Sequence, residues 1–231
     1  MFRLTKQELA RMIDHTLLRP EAVSGDIVKL CEEAVENLFG AVCVNPAYVP
    51  PAVRELEGTN VRVGTVIGFP LGATNTAGKV AEAGRAVSDG AAEFDVVINI
   101  GALKDRETAY LEREFGDVIG IIRKARPDAV VKVILETALL TDAEKVLGCR
   151  LAADCGADMV KTSTGFGPGG ATEDDVRLLR SVVGDRLGVK AAGGIRDLET
   201  ALQMIAAGAS RIGTSSGVKI MQEWSEAKAM V

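Results

Sequence analysis

The sequence predicts one (β/α)8 barrel domain over residues 1–231, opened by a short N-terminal helix. Three observations predict it. Short β-rich segments alternate with longer segments of helical period along the whole chain, and eight such units can be counted. The β segments are nearly continuously apolar, as strands covered on both faces must be. Charged residues nonetheless recur at the ends of these segments, where the mouth of a barrel would collect them. That favours closure over the structural rival, a doubly wound open sheet.

Apolar residues make up 47% of the chain, but aromatics only 4%, so Val, Ile, Leu and Ala must build the core. No stretch rich in Pro and Ser marks a linker to a second domain. The formal charge of −5, with no basic run, argues against a nucleic-acid partner. No apolar run reaches the ~18 residues of a membrane span. The N-terminus, Met1-Phe2-Arg3-Leu4-Thr5-Lys6, lacks a signal-peptide apolar region, so no membrane association and a cytoplasmic location are expected. Cys31, Cys43, Cys149 and Cys155 form no Cys-x-x-Cys pair and read as reduced core residues. His15 is the only histidine, which excludes a multi-histidine metal site and a Ser-His or Cys-His nucleophile pair.

A helix is expected over about residues 6 to 11, then a β segment, Ile13-Asp14-His15-Thr16-Leu17-Leu18. Ile27, Leu30, Cys31, Ala34, Val35 and Leu38 recur at helical spacing, with Gly40 where a C-terminal cap belongs. Ala41-Val42-Cys43-Val44 ends at Asn45-Pro46. The next strands read as residues 61–67, 92–98 and 130–136, separated by helices over about 77–88 and 106–125. Thr141 and Glu144 are spaced as a capping box, and the helix they open closes at Gly156. Met159-Val160-Lys161, residues 187–191 and Arg211-Ile212-Gly213 complete the strands, with helices starting near Thr172, Asp197 and Ser216.

Asp14, Asp95, Lys132, Glu136, Lys161 and Lys190 all fall in or at the ends of strands. Buried charges are tolerated when paired and otherwise usually mark function. Lys161 and Lys190 end adjacent strands, which lie ~4.8 Å apart, so their side chains can converge. A second ammonium ~5 Å away supplies ~3 kcal/mol of the ~4.6 kcal/mol needed to half-deprotonate a lysine at pH 7, and desolvation can supply the rest. A neutral lysine in a dry pocket forms Schiff bases with carbonyl compounds, and Asp95 could then move a proton at the adjacent carbon. Asp95 and Lys132 could equally neutralise each other as a structural pair.

Glycines cluster after the last three strands: Gly165, Gly167, Gly169 and Gly170, then Gly193 and Gly194, then Gly213 with Ser215 and Ser216. On neighbouring loops, with Arg196, they suit a phosphate held by backbone N–H groups. Gly165, Gly167 and Gly170 fit a dinucleotide fingerprint only formally, because Pro168 intervenes. The run from Gly72 to Gly78-Lys79 is one residue too long for a Walker loop.

From Ile13-Asp14-His15-Thr16-Leu17-Leu18 to Arg211-Ile212-Gly213-Thr214-Ser215-Ser216 the chain resembles the deoxyribose-phosphate aldolase family. Val160-Lys161-Thr162-Ser163-Thr164-Gly165 and Val189-Lys190-Ala191-Ala192-Gly193-Gly194-Ile195-Arg196 are the most specific parts of the match. The resemblance implies reversible cleavage of 2-deoxy-D-ribose 5-phosphate to acetaldehyde and D-glyceraldehyde 3-phosphate, without metal or organic cofactor. It implies that Lys161 is the Schiff-base lysine, Lys190 the neighbour that lowers its pKa, and Asp95 the acid/base carboxylate working with Lys190 and a water. Asp14 and Lys132 would line the pocket as supporting charges, with Cys43 and Asn45 near the mouth. The phosphate would sit on Gly165, Gly193, Gly194, Gly213, Ser215 and Ser216. The resemblance also suggests a homodimer. His15 reads as a hydrogen-bonded scaffold residue. Two departures stand out. No tyrosine follows Tyr110, where some members carry one on a C-terminal tail, and Phe166 stands where some members place a lysine.

Two other classes fit the same residues. One is a phosphate-binding barrel isomerase or epimerase that uses Asp95 without covalent catalysis. The other is a non-catalytic binding or scaffold barrel.

Overall fold

Eight parallel strands close on themselves in chain order: β1 (Ile13–Leu17), β2 (Ala41–Val44), β3 (Arg62–Ile67), β4 (Glu93–Val97), β5 (Val130–Ile134), β6 (Met159–Lys161), β7 (Gly188–Ala192) and β8 (Arg211–Thr214). A computed structural model describes residues 4–229. Met1, Phe2 and Arg3 of the N-terminal stretch, and Met230 and Val231 of the tyrosine-free tail, lie outside them.

Helix α1 (Lys6–Arg11) precedes the barrel. Thr5 caps it: its hydroxyl accepts from the Glu8 N–H at 3.2 Å, while the Glu8 carboxylate accepts from the Thr5 N–H at 2.7 Å. The principal crossover helices are α2 (Ser24–Glu36), α4 (Thr76–Ser88), α6 (Thr108–Ala125), α7 (Asp142–Asp154), α8 (Glu173–Val183) and α9 (Leu198–Ala206), and α10 (Gly217–Ala229) follows β8. Thr141 and Thr172 occupy the N-caps of α7 and α8, as their spacing requires. Two short helices were not expected, α3 (Val49–Glu55) and α5 (Ile100–Lys104). Pro50 and Pro51 stand in the first turn of α3, where Pro is tolerated because the missing N–H has no intrahelical partner. The helix read from Arg106 starts two residues later because Arg106 is left-handed, with φ 57°. Among the described residues no helix is long and apolar enough to cross a membrane.

Strand alternation divides the barrel into two chemistries. Phe94 and Val96, Val131 and Val133, Val160, Val189 and Ala191 are buried in the core shared with the helices. Each such aliphatic or aromatic side chain contributes roughly 1.5–3 kcal/mol of burial. Residues one position away face inward, and there the barrel is charged: Asp14, Glu93, Asp95, Lys132, Lys161 and Lys190 are all at most 2% exposed. Parallel register aligns them, pairing Asp95 with Lys132 and Lys161 with Lys190. This corrects the expected gathering of charge at strand ends. Lys161 does end β6, but Asp95, Lys132 and Lys190 lie mid-strand, within the stacked interior layers of the barrel.

A second buried ion pair lies between the barrel and its helices. Lys79 of α4, fully buried, donates to the Val97 carbonyl at 2.9 Å and to Glu114 of α6 at 2.6 Å, and the other Glu114 oxygen accepts from the Tyr110 hydroxyl at 3.0 Å. Burial lowers the Lys79 pKa against the opposing pull of Glu114. Truncating one partner strands the other charge, so Lys79→Met is expected to cost about 3–5 kcal/mol in urea unfolding. Lys79→Met/Glu114→Leu should recover most of it. A single-variant loss below about 1 kcal/mol would show that the pair does not govern stability.

Candidate active site

A cavity of about 290 Å³ opens at the C-terminal ends of the strands. Its wall includes Lys161, Gly165, Phe166, Gly193, Gly194, Gly213 and Ser215, with Arg19 and Arg196 at the rim. Gly165, Gly193 and Gly194 have φ of 86°, 93° and 82°, a region that disfavours any residue with a Cβ. The loops after β6 and β7 also touch. A Cβ on Gly170 would lie 2.3 Å from the Gly193 carbonyl oxygen, which accepts from the Ala171 N–H at 3.0 Å. Glycine here lets the two loops lie side by side.

Below the cavity, Asp95 is the hub. Its Oδ2 accepts from Lys161 and from Lys190, each at 2.8 Å, and its Oδ1 from Lys132 at 2.8 Å. Burial alone would raise the Asp95 pKa, but the three ammonium groups outweigh it and hold the carboxyl well below the usual range. Lys190 also reaches Asp14 at 2.5 Å, and Lys132 reaches Glu93 at 2.6 Å and Asp14 at 3.5 Å. Burial pushes both lysines down, yet their carboxylates prevail and raise them. Lys161 goes the other way. Burial lowers its pKa, Asp95 opposes, and the charge of Lys190 adds to the depression. The sequence reading assigned the larger share to Lys190, whereas desolvation leads. Lys190 spends its charge on two carboxylates, which mutes its effect on its neighbour.

Of this network only Lys161 reaches the cavity wall. Asp14, Lys132 and Cys43 were expected to line the pocket but are not on its wall, at 1%, 1% and 2% exposure: Asp14 and Lys132 lie deeper in the barrel, and Cys43 is buried beside Thr16 and Leu18 of the wall. Cys43 joins Leu18 and Val66 in a small apolar cluster, and burial pushes its thiol up to about 11. Asp95 likewise meets the cavity only through the lysines. Gly213 sits on strand β8 and lines the cavity, and a Cβ there would come within 2.9 Å of Lys190 Cε, so its bareness makes room for that side chain. Ser216 is not on the wall, and its N–H is taken by the Thr214 hydroxyl at 2.9 Å. Asn45 donates to the Leu18 carbonyl at 3.0 Å, and His15 meets Glu33 at 2.7 Å, which are scaffold contacts.

Across 215 residues, 9–223, the chain matches the model of the DeoC/LacD family aldolases. The chain belongs to this family. It is similar to a deoxyribose-phosphate aldolase of Thermococcus kodakarensis, at 58% identity over 95% of this chain and 98% of that one. A deoxyribose-phosphate aldolase of Caldanaerobacter subterraneus is 55% identical over 94% of this chain and 93% of its own. Among solved structures, the tetrameric deoxyribose phosphate aldolase from Aeropyrum pernix superposes with a TM-score of 0.89 at 36% identity, covering 98% of this chain and 94% of that one.

Three features of this aldolase-family barrel come from the structure alone. Glu93 and Arg211 complete the charge network: Arg211 donates to Asp14 at 2.6 Å and to Glu93 at 3.3 Å. Their signal was alternation, since each lies two residues before a position already singled out. Glu136 was read as a charge at a strand end, yet it follows β5 in a left-handed conformation, φ 58°. Its carboxylate accepts from the Thr164 N–H at 3.2 Å and from the Thr164 hydroxyl, tying down the loop after β6. Phe166 meets Phe69 edge-on, with ring centroids 5.3 Å apart, so the mouth is apolar on that side. Among the described residues no three His, Cys, Asp or Glu side chains are grouped as a metal ion would need.

Proposed function

We propose that the protein is a class I aldolase that reversibly cleaves 2-deoxy-D-ribose 5-phosphate into acetaldehyde and D-glyceraldehyde 3-phosphate, with Lys161 as the covalent residue. One observation carries the reading. Lys161 is the network group on the cavity wall, and it is the lysine of the barrel interior whose pKa is depressed while Lys132 and Lys190 are raised. The names of the relatives support the substrate.

The chemistry follows from position. Neutral Lys161 adds to the C1 carbonyl of the open-chain sugar, and loss of water leaves an iminium. Removal of the C3 hydroxyl proton then breaks the C2–C3 bond, whose electrons are drawn into the iminium as an enamine, and glyceraldehyde 3-phosphate departs. Protonation at C2 and hydrolysis release acetaldehyde and restore Lys161. Asp95, with Lys190 and an intervening water, moves these protons, because its Oδ2 lies 2.8 Å from both amines. The phosphate rests on the backbone of Gly165, Gly193 and Gly194 and on Ser215. By analogy with the Aeropyrum relative the protein works as a homo-oligomer, which light scattering tests.

Borohydride reduction in the presence of acetaldehyde or the sugar phosphate, followed by peptide mass analysis, tests the reading. An adduct on Lys161 is expected. No adduct overturns the covalent mechanism, and an adduct on Lys190 reverses the two roles. Lys190→Leu is expected to lower kcat/KM at pH 7 on the order of 10²-fold and to regain rate as pH rises. Without Lys190, Asp95 and Asp14 hold the Lys161 ammonium more firmly, so more base is needed to free the amine. A flat pH profile would count against that role.

A further inference from the structure

We propose that Arg211 and Glu93, on the barrel floor, fix the charge state of Lys161 by setting the balance of the buried network, and so act as positioning residues for the aldolase chemistry proposed above. Inside the barrel stand three carboxylates, Asp14, Glu93 and Asp95, and four cationic side chains, Lys132, Lys161, Lys190 and Arg211, linked by the contacts already described. With every group ionised, one positive charge has no counterpart. Arg62 does not alter the balance. It lies 3.9 Å from Glu93, but its guanidinium also pairs with Asp128 at 3.1 Å, and both side chains are at least 36% exposed.

An uncompensated buried charge is costly, so the network is most stable after losing one proton. The guanidinium of Arg211 does not release one. Lys132 touches Glu93, Asp95 and Asp14, and Lys190 touches Asp14 and Asp95. Lys161 has Asp95 alone, at an oxygen it shares with Lys190. The proton therefore leaves from Lys161.

The other groups facing Lys161 do not change this choice. Cys43 of β2 holds its proton, with its thiol pushed up to about 11. Gly64 and Val66 of β3 carry no charge. Glu136, beyond β5, is turned to Thr164 in the loop after β6, and among the described residues it forms no ion pair with any of these cations. Arg19 and Arg196 stand at the exposed rim. Arg211 touches no reacting atom. It acts by occupying Asp14 and Glu93, which would otherwise be free to hold Lys132 and Lys190 and leave Asp95 to Lys161.

The test is the pH dependence of kcat/KM and of borohydride trapping with acetaldehyde for the wild type, Arg211→Met, Arg211→Lys, Glu93→Gln and Arg211→Met/Glu93→Gln. Removing the Arg211 charge lets Lys161 stay protonated, so the acid limb should move up by at least about one pH unit, a tenfold loss at fixed pH on that limb. Arg211→Lys keeps the charge and should leave the limb in place. Glu93→Gln adds to the surplus and should move it down. The double variant restores the balance and should return the limb toward the wild-type position. A role in folding alone predicts the reverse, a double variant worse than either single one with the limb unmoved, and that result overturns the proposal. Should Arg211→Met not fold, Glu93→Gln decides: a lowered limb supports the proposal, and an unmoved or raised one refutes it. If the wild type traps no adduct on Lys161, it is the aldolase reading that fails, before the variants are compared.

Discussion

Replacing Lys161 by leucine is expected to abolish sugar-phosphate cleavage, lowering kcat/KM by a factor on the order of 10⁴–10⁶, as removal of a covalent nucleophile does elsewhere. The side chain ends β6 at 2% exposure, so leucine fills most of its volume without opening a path for water. The fold should tolerate the change for an electrostatic reason. Lys161 is the lysine of the barrel interior whose pKa is lowered on balance, so removing it relieves desolvation and leaves Asp95 paired with Lys132 and Lys190. Thermal unfolding should therefore occur at or above the wild-type midpoint, and borohydride should trap no adduct. That combination separates the aldolase from its two rivals. An isomerase or epimerase using Asp95 alone would keep activity within about tenfold, and a binding barrel would show no activity to lose.

Much of the barrel was legible because parallel strands covered on both faces must be apolar, and Val130-Val131 or Phe94 with Val96 and Val97 leave little choice. The helices that escaped notice, α3 and α5, are short, at seven and five residues, and contain Pro50, Pro51 and Gly101, which carry no helical signal. In the site, Lys161, Lys190 and Asp95 stood out because a charge inside an apolar run is anomalous. Glu93 and Arg211 were not singled out; in the structure each opens its strand. What the sequence could not order was depth. Alternation says that Asp14, Lys132 and Cys43 face inward, but whether an inward residue meets substrate or lies beneath it depends on how neighbouring strands are staggered. The same stagger puts Gly213 against the Lys190 stem, a contact between side chain and bare backbone that no local pattern encodes.

Asp95→Asn is expected to damage both activity and stability, in a way that separates the two roles of this carboxylate. Its two oxygens serve three ammonium groups at 2.8 Å. Asparagine offers one acceptor and turns an N–H₂ donor toward a cation, so the variant should lose about 3–5 kcal/mol in urea unfolding at pH 7. The pH dependence of stability has a definite sign. The folded pKa of Asp95 lies well below its unfolded value, so its contribution is complete above about pH 4 and fades as pH falls through the folded pKa. The wild type and the variant should therefore converge in stability only at strongly acidic pH. Activity should fall by 10²–10⁴-fold, the usual range for loss of a positioned acid/base group. Yet the amine itself should become easier to deprotonate, because Asp95 is the group that raises the Lys161 pKa. Borohydride trapping of acetaldehyde on Lys161 should therefore persist, with its pH midpoint shifted down, while turnover is lost. If trapping and turnover disappear together, Asp95 acts by holding Lys161 in place rather than by moving protons after the imine has formed.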